Sequence, residues 1–217
     1  TLDGSSAASD VYKRQDTEEY QHDIEMLRSL PSLPYSIAIP KIESADECRT
    51  FLKDLGTNIL ILPQIETPRG IATIESWDCS NIEFSGIGFG SADYCASTGG
   101  DMGKASLAYG RGKIINAAAL YNTLALDGVW LDFRDPDGCR EETLYVKTMG
   151  FKGRFAIHPD QIKPIHDAYR PTTEELEWAK GVLEEAKTAG SGAFKYQGKM
   201  VDAPVLAVAR LIISRED

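Results

Sequence analysis

Histidine is scarce: three residues, His22, His158 and His166, in a chain of 217, too few for an all-imidazole metal site. The four cysteines (Cys48, Cys79, Cys95 and Cys139) form no CxxC pair. Their spacing fits neither a zinc site nor a disulfide framework, and it points to reduced thiols in a cytoplasmic compartment. Positive charge is also short, since 23 Lys and Arg against 33 Asp and Glu leave a formal net charge of −10. That balance argues against a general binder of nucleic acid or anionic membranes; an anionic ligand would need a local basic patch. No run approaches the ~18 apolar residues of a membrane span, and the start of the sequence has no signal-peptide pattern. With 42% hydrophobic and 26% charged residues, the chain has an ordinary globular composition and enough length for one sizeable core.

Residues 1–15 are small and polar without periodicity and read as a non-native or unstructured tail. A regular alternation follows. Helices are expected over Asp16–Leu30, from Ser44 to Gly56 (opened by the capping box Ser44-x-x-Glu47), around Gly70–Trp77, over Lys104–Thr123, from Asp135-Pro136 to near Gly150, and from Thr172 to Ala189. The last of these also opens on a capping box, Thr172-x-x-Glu175, and has Gly190 just beyond its end. Strands are expected at Tyr35–Pro40, Asn58–Ile65, Glu83–Phe89, Gly128–Phe133 and Arg154–His158. Five apolar strands alternating with helices predict a parallel α/β sheet or barrel. Glu43, Glu66, Asp93, Asp132, Asp135 and His158 all fall at or just past strand C-termini, where parallel α/β folds, and (β/α)8 barrels most consistently, carry their chemistry. An open doubly wound sheet is the alternative fold.

Four motifs stand out. In Gln64–Gly70 a carboxylate, Glu66, ends an apolar strand. In Gly88–Asp93, glycines that let a ligand approach the backbone precede a second carboxylate. Two acids on consecutive strands, with no softer ligand, suit a hard cation such as Mg²⁺, which takes one or two carboxylates plus waters and substrate; taken alone, a strand-end Glu is more often a cap or half of an ion pair. Gly150–Ile162 is one more strand end, where His158 reads as either a structural or a ligand-contacting histidine. Gly192–Pro204 suggests a hairpin turning at Gly198, with a terminal helix after Pro204.

Taken in order, PKIES (Pro40–Ser44), IET (Ile65–Thr67), GSAD (Gly90–Asp93), LDG (Leu126–Gly128), GFKGRFAIHPDQI and GKMVDAP resemble the citrate lyase beta-subunit and malyl-CoA lyase family. The resemblance runs from about Pro40 to the C-terminus. It implies an α/β fold, a TIM (β/α)8 barrel of the phosphoenolpyruvate/pyruvate type over residues 16–170, with the first ~three βα units missing against the eight of the fold. Residues 171–217 would form a C-terminal helix and lid. It further implies a Mg²⁺-dependent carbon–carbon lyase that cleaves a 3-hydroxyacyl-CoA of the malyl-, citramalyl- or citryl-CoA type, with Mn²⁺ as the alternative ion. A pyruvate-dependent class II aldolase and a non-catalytic fragment of such an enzyme are the competing readings. By the same resemblance Glu66 and Asp93 are the metal ligands; Gly88, Gly90, Ser91 and Ala92 face the substrate; Ile157, His158 and Pro159 help hold coenzyme A; and Asp202, on the lid, moves a proton in a neighbouring subunit of a homo-oligomer, a trimer or hexamer. Lys41, Arg69, Lys152 and Arg154 are candidate partners for the coenzyme's phosphates or ordinary surface cations. The family's first strand, with its substrate-gripping arginine, and the acidic strand end that follows it are not present.

Overall fold

The computed structural model describes residues 18–189 and 192–216; the expected tail, Asp16 and Gly190 lie outside them. Five strands, β1 (Ser36–Ile39), β2 (Leu60–Ile65), β3 (Ile87–Phe89), β4 (Ala125–Asp127) and β5 (Gly153–Arg154), form one parallel sheet in the order β1-β2-β3-β4-β5. Each strand pairs only with its neighbour in the chain, as βαβ connections of one hand produce. Between them run α1 (Glu18–Ser29), α2 (Ala45–Leu55), α3 (Pro68–Thr73) with a 3-10 turn at Ile74–Ser76, α4 (Ser91–Thr98), α5 (Lys104–Leu120), α6 (Pro136–Met149) and α7 (Ile162–Tyr169), α1 preceding the sheet and α7 following it.

The helix ends follow their capping chemistry. Ser44 Oγ accepts from Glu47 N at 3.3 Å, while Glu47 Oε2 reaches one residue further back than an ideal box and takes Glu43 N at 2.7 Å. Gly56 ends α2 in the left-handed region at φ 80°, where a side chain would be strained. Asp135 caps α6 through Gly138 N at 2.9 Å, with Pro136 in the first turn. In β2, Ile61, Pro63 and Ile65 are buried while Leu60, Leu62 and Gln64 are half-buried. Ile61 and Ile65 pack with Phe51, Ile71, Ile74, Ile87, Phe89, Leu107 and Ile114 in one core.

Three expectations shift. The fourth strand lies at Ala125–Asp127 rather than Gly128–Phe133, and Asp132 Oδ1 accepts Arg134 N at 3.0 Å in a local turn. The fifth is two residues long because His158 leaves the ladder: its Nδ1 accepts Asp160 N at 3.2 Å and caps a 3-10 turn at Pro159–Gln161. The strand foreseen from Glu83 joins the ladder only at Ile87, with one isolated bridge between Ile61 and Phe84. Helix α4 was not foreseen, since its small polar sequence buries only Ser91, Tyr94 and Cys95.

The chain divides into two compact units between Ile165 and His166. The second holds α8 (Thr173–Ala189), a two-stranded antiparallel hairpin of β6 (Phe194–Tyr196) and β7 (Lys199–Val201), and α9 (Ala203–Ile213). Thr172 and Glu175 complete a reciprocal capping box at 3.1 and 2.9 Å. The hairpin turns at Gln197 and Gly198, both at positive φ (48° and 78°), the combination that two-residue turns of matching twist require. Ala179, Val182, Val201 and Ala209 form its own small core.

Candidate functional site

The ends of β2, β3 and β4 build the site. Ile65 pairs with Phe89, and Gly90 N donates to Ile65 O at 3.0 Å, so Glu66 and Gly90 stand side by side where the two strands end. The Glu66 side chain lies directly across Gly90: a Cβ there would come within 2.1 Å of Glu66 Cγ. One step back, a Cβ on Gly88 would come within 2.3 Å of Gln64 Oε1. Beyond Gly90 the chain turns into α4, with Ser91 buried, Ala92 half-buried and Asp93 exposed in its first turn. Asp93 already holds a cation, for Lys41 Nζ lies 3.1 Å from its Oδ1. Lys41 reaches it from the end of β1 with a positive φ of 56°.

The other strand-end acids serve as structural partners. Glu43 Oε1 accepts from Thr67 Oγ1 at 2.7 Å, and its Oε2 is 3.7 Å from Arg69 Nε. Thr67 in turn caps α3 through Gly70 N at 3.0 Å. Among the described residues no group of three or more His, Cys, Asp or Glu is arranged around an ion position. Glu66 and Asp93 are two carboxylates at the ends of neighbouring strands, the number that Mg²⁺ ordinarily takes from a protein while water and substrate complete its shell. The cradle at Gly90 and the ammonium on Asp93 are the features of this structure that favour that fit.

Beneath the strand ends lies a charged cluster that sequence reasoning missed. Asp127, fully buried at the end of β4, accepts from Arg111 Nε and Nη2 at 3.1 Å each and from Arg154 Nη2 at 2.7 Å. Arg111 Nη1 is 2.8 Å from Glu142 Oε1, off the hydrogen-bonding direction. Burial opposes the charge on Arg111, but Asp127 and then Glu142 outweigh it and hold its guanidinium above its ordinary range. Arg154 is thus a buried structural cation, with 2% of its side chain exposed, and is withdrawn from the candidates for phosphate binding. A signal for Arg111 existed: it falls on the buried face of α5 with Leu107, Ile114 and Ala118, where helical spacing calls for an apolar residue.

The segment Ile157–Pro159 lies on the loop after β5. Ile157 is exposed, its N–H donating to Gln161 Oε1 at 2.9 Å, and the His158 ring stacks on Phe133 at 4.7 Å between centroids. Gln161, buried, donates Nε2 to Trp130 O at 2.7 Å and ties this loop to the one after β4. Together Leu131, Phe133 and Ile157 leave an exposed apolar shelf. Asp202 stands in the second unit, exposed, with Oδ1 capping α9 through Val205 N at 3.4 Å.

The HpcH/HpaI aldolase/citrate lyase family model matches residues 12–159, and that of the C–C bond lyases of the TIM-barrel fold matches residues 112–216. Mitochondrial citramalyl-CoA lyase of Mus musculus is 29% identical over 88% of this chain, which spans 63% of that protein's length. The citrate lyase subunit beta-like protein of Mycobacterium tuberculosis is 34% identical over 87% of this chain and 70% of its own. A crystal structure of the protein CitE from that organism, in complex with magnesium, acetoacetate and coenzyme A, superposes with a TM-score of 0.78 at 30% identity, covering 93% of this chain and 75% of that one. A citrate lyase from Burkholderia xenovorans shares the fold at a TM-score of 0.77 with 18% identity. By its matched models and by its parallel α/β architecture, this chain belongs to the HpcH/HpaI aldolase/citrate lyase family.

Proposed function

We propose that this chain carries the metal- and substrate-binding part of a Mg²⁺-dependent lyase that cleaves a 3-hydroxyacyl-CoA of the malyl-, citramalyl- or citryl-CoA type into an acyl-CoA and an oxo acid. The observation that carries the reading is the pair of carboxylates at adjacent strand ends, Glu66 seated on Gly90 and Asp93 already facing a cation. The relatives named for citramalyl-CoA lyase and the structure with magnesium and coenzyme A support it.

Glu66 and Asp93 would hold the ion. Bound there, Mg²⁺ supplies Lewis-acid polarisation of a substrate oxygen. The first-turn N–H groups of α4, at Ser91 and Ala92, lack intrahelical acceptors and are placed to hold the oxo-acid carboxylate, favoured by the helix's positive end. The Gly88–Gly90 stretch presents bare backbone to the same ligand. The apolar shelf at Leu131, Phe133 and Ile157, with His158 and Pro159, is suited to the coenzyme A arm. Asp202 is our candidate for moving the proton to or from the acyl-CoA carbon, acting across a subunit boundary in a homo-oligomer, a trimer or hexamer. Free cysteines throughout are consistent with a reducing, cytoplasmic setting, and no helix among the described residues is long and apolar enough to cross a membrane.

The test pairs binding with turnover. Mg²⁺ is titrated calorimetrically into the protein and its Glu66→Gln and Asp93→Asn variants, and malyl-, citramalyl- and citryl-CoA are assayed for release of glyoxylate, pyruvate and oxaloacetate. We expect both variants to lose affinity, and whichever ester releases oxo acid in the unaltered protein to release less in each variant. Unchanged affinity in both would remove the metal assignment, and oxo-acid release unaffected by either substitution would remove the metal from the reaction.

A further inference from the structure

We infer that Arg154 is a positioning residue for the Gly90–Asp93 turn and acts on it through Gly128. The inference rests on Asp93 being a metal ligand. Each arm of the buried Arg154 guanidinium is engaged: Nη2 on Asp127 Oδ2 at 2.7 Å, Nη1 toward Thr143 Oγ1 at 3.4 Å, and Nε on Gly128 O at 2.9 Å. Asp127 is gripped from its other side by the fork of Arg111. Moving Arg154 would break charge-assisted hydrogen bonds in a site with no water to replace them. The backbone carbonyl of Gly128 is therefore held at a fixed height.

Gly128 in turn bears on the metal loop. A Cβ at Gly128 would stand 2.0 Å from Ser91 Oγ and 2.9 Å from Phe89 O, so the first residue of α4 rests directly on its Cα. Asp93 follows two residues later on the same turn. On the opposite flank Glu66 lies across Gly90. The turn that presents Asp93 is thus held between Glu66 and Gly128, and Arg154 sets the position of the second.

The experiment measures Mn²⁺ affinity on the full chain by the loss of free-ion electron paramagnetic resonance signal, with the melting temperature recorded separately. Arg154→Met keeps the stem and the Arg111–Asp127 pair but removes the bond to Gly128 O. Gly128→Ala pushes on Ser91 without touching a charge, and a Ser91→Gly change in that background relieves the push. We expect folded Arg154→Met and Gly128→Ala proteins to bind Mn²⁺ about 10- to 100-fold more weakly, the usual effect of losing an outer partner of a metal ligand, and the double variant to recover part of the loss. Wild-type affinity in both folded variants, whatever their melting temperatures, overturns the inference. If Arg154→Met does not fold, Gly128→Ala decides alone. Asp93→Asn is the control: wild-type affinity there would remove Asp93 from the ion, a failure of the premise distinct from that of the clamp.

Discussion

Replacing Gly90 with alanine is the most direct perturbation of the proposed metal site that leaves both carboxylates in place. The added Cβ would lie 2.1 Å from Glu66 Cγ and 2.8 Å from Cδ, well inside van der Waals contact, and the backbone around it is fixed by the Gly90 N to Ile65 O bond of 3.0 Å. Glu66 must therefore rotate off its seat. In the metal-free protein the half-buried side chain can turn toward water, so thermal stability should fall less than metal affinity. With metal present, Glu66 must return against the overlap or leave the ion with one carboxylate. An overpacking cost of roughly 1–3 kcal/mol corresponds to about 5- to 150-fold in affinity. Gly88→Ala is the matched control: its Cβ would meet only the far end of Gln64, with Oε1 at 2.3 Å, a side chain outside the proposed metal ligands. Calorimetric Mg²⁺ titration of the two variants should show a large loss in the first and little in the second. Equal affinities in folded Gly90→Ala and wild-type protein would refute the placement of Glu66 on the ion.

Two further outcomes follow from the buried groups. Asp127→Asn leaves Arg111 and Arg154 facing a neutral amide, and urea unfolding should show about 3–5 kcal/mol lost, the penalty of breaking a buried ion pair from one side. Burial raises the Cys48 thiol from 9.0 to about 12. Between those values the unfolded chain is deprotonated and the folded one is not, so stability falls as pH rises, by up to roughly 1.4 kcal/mol per pH unit. Tyr121, raised mainly by burial from 10.0 to about 12, adds the same sign above pH 10. Denaturation midpoints at pH 8 and 10.5 should show the decline, and Cys48→Ala should flatten part of it; an unchanged slope would contradict the assigned cause.

What the sequence disclosed was mostly local. Ser44 with Glu47, Asp135 with Pro136, and Thr172 with Glu175 signal helix starts within four residues, and the structure places a helix at each. The apolar run at Leu60–Ile65 could hardly be anything but a buried strand. Short ladders were harder: Ala125–Asp127 is too brief to stand out beside the richer run from Gly128 to Phe133, which lies beyond the end of the strand. The charged cluster was least legible. Arg111 and Arg154 meet Asp127 across 16 and 27 residues of chain, and no spacing rule links them. The alternation of strands and helices was enough to set Glu66 and the turn before Asp93 at neighbouring strand ends, whereas their role toward a metal came from the family resemblance and is a proposal. The positive-φ reach of Lys41 to Asp93 could be read from no local pattern.

The strand order of the sheet, identical to the order of the chain, bears on how the protein comes into being. Among the described residues every ladder of this sheet closes on a partner supplied by the preceding βα unit, so no strand there waits for a distant one. Loop-closure entropy grows only slowly with such short separations, and a chain emerging from the ribosome N-terminus first can add each unit to an edge already formed. The two acids proposed to hold the metal follow that schedule. Glu66 takes its seat as soon as β3 docks, whereas the support under Ser91 is complete only when Arg154 arrives some sixty residues later. A nascent chain arrested before residue 154 would hold both carboxylates without the brace inferred for the turn that carries Asp93.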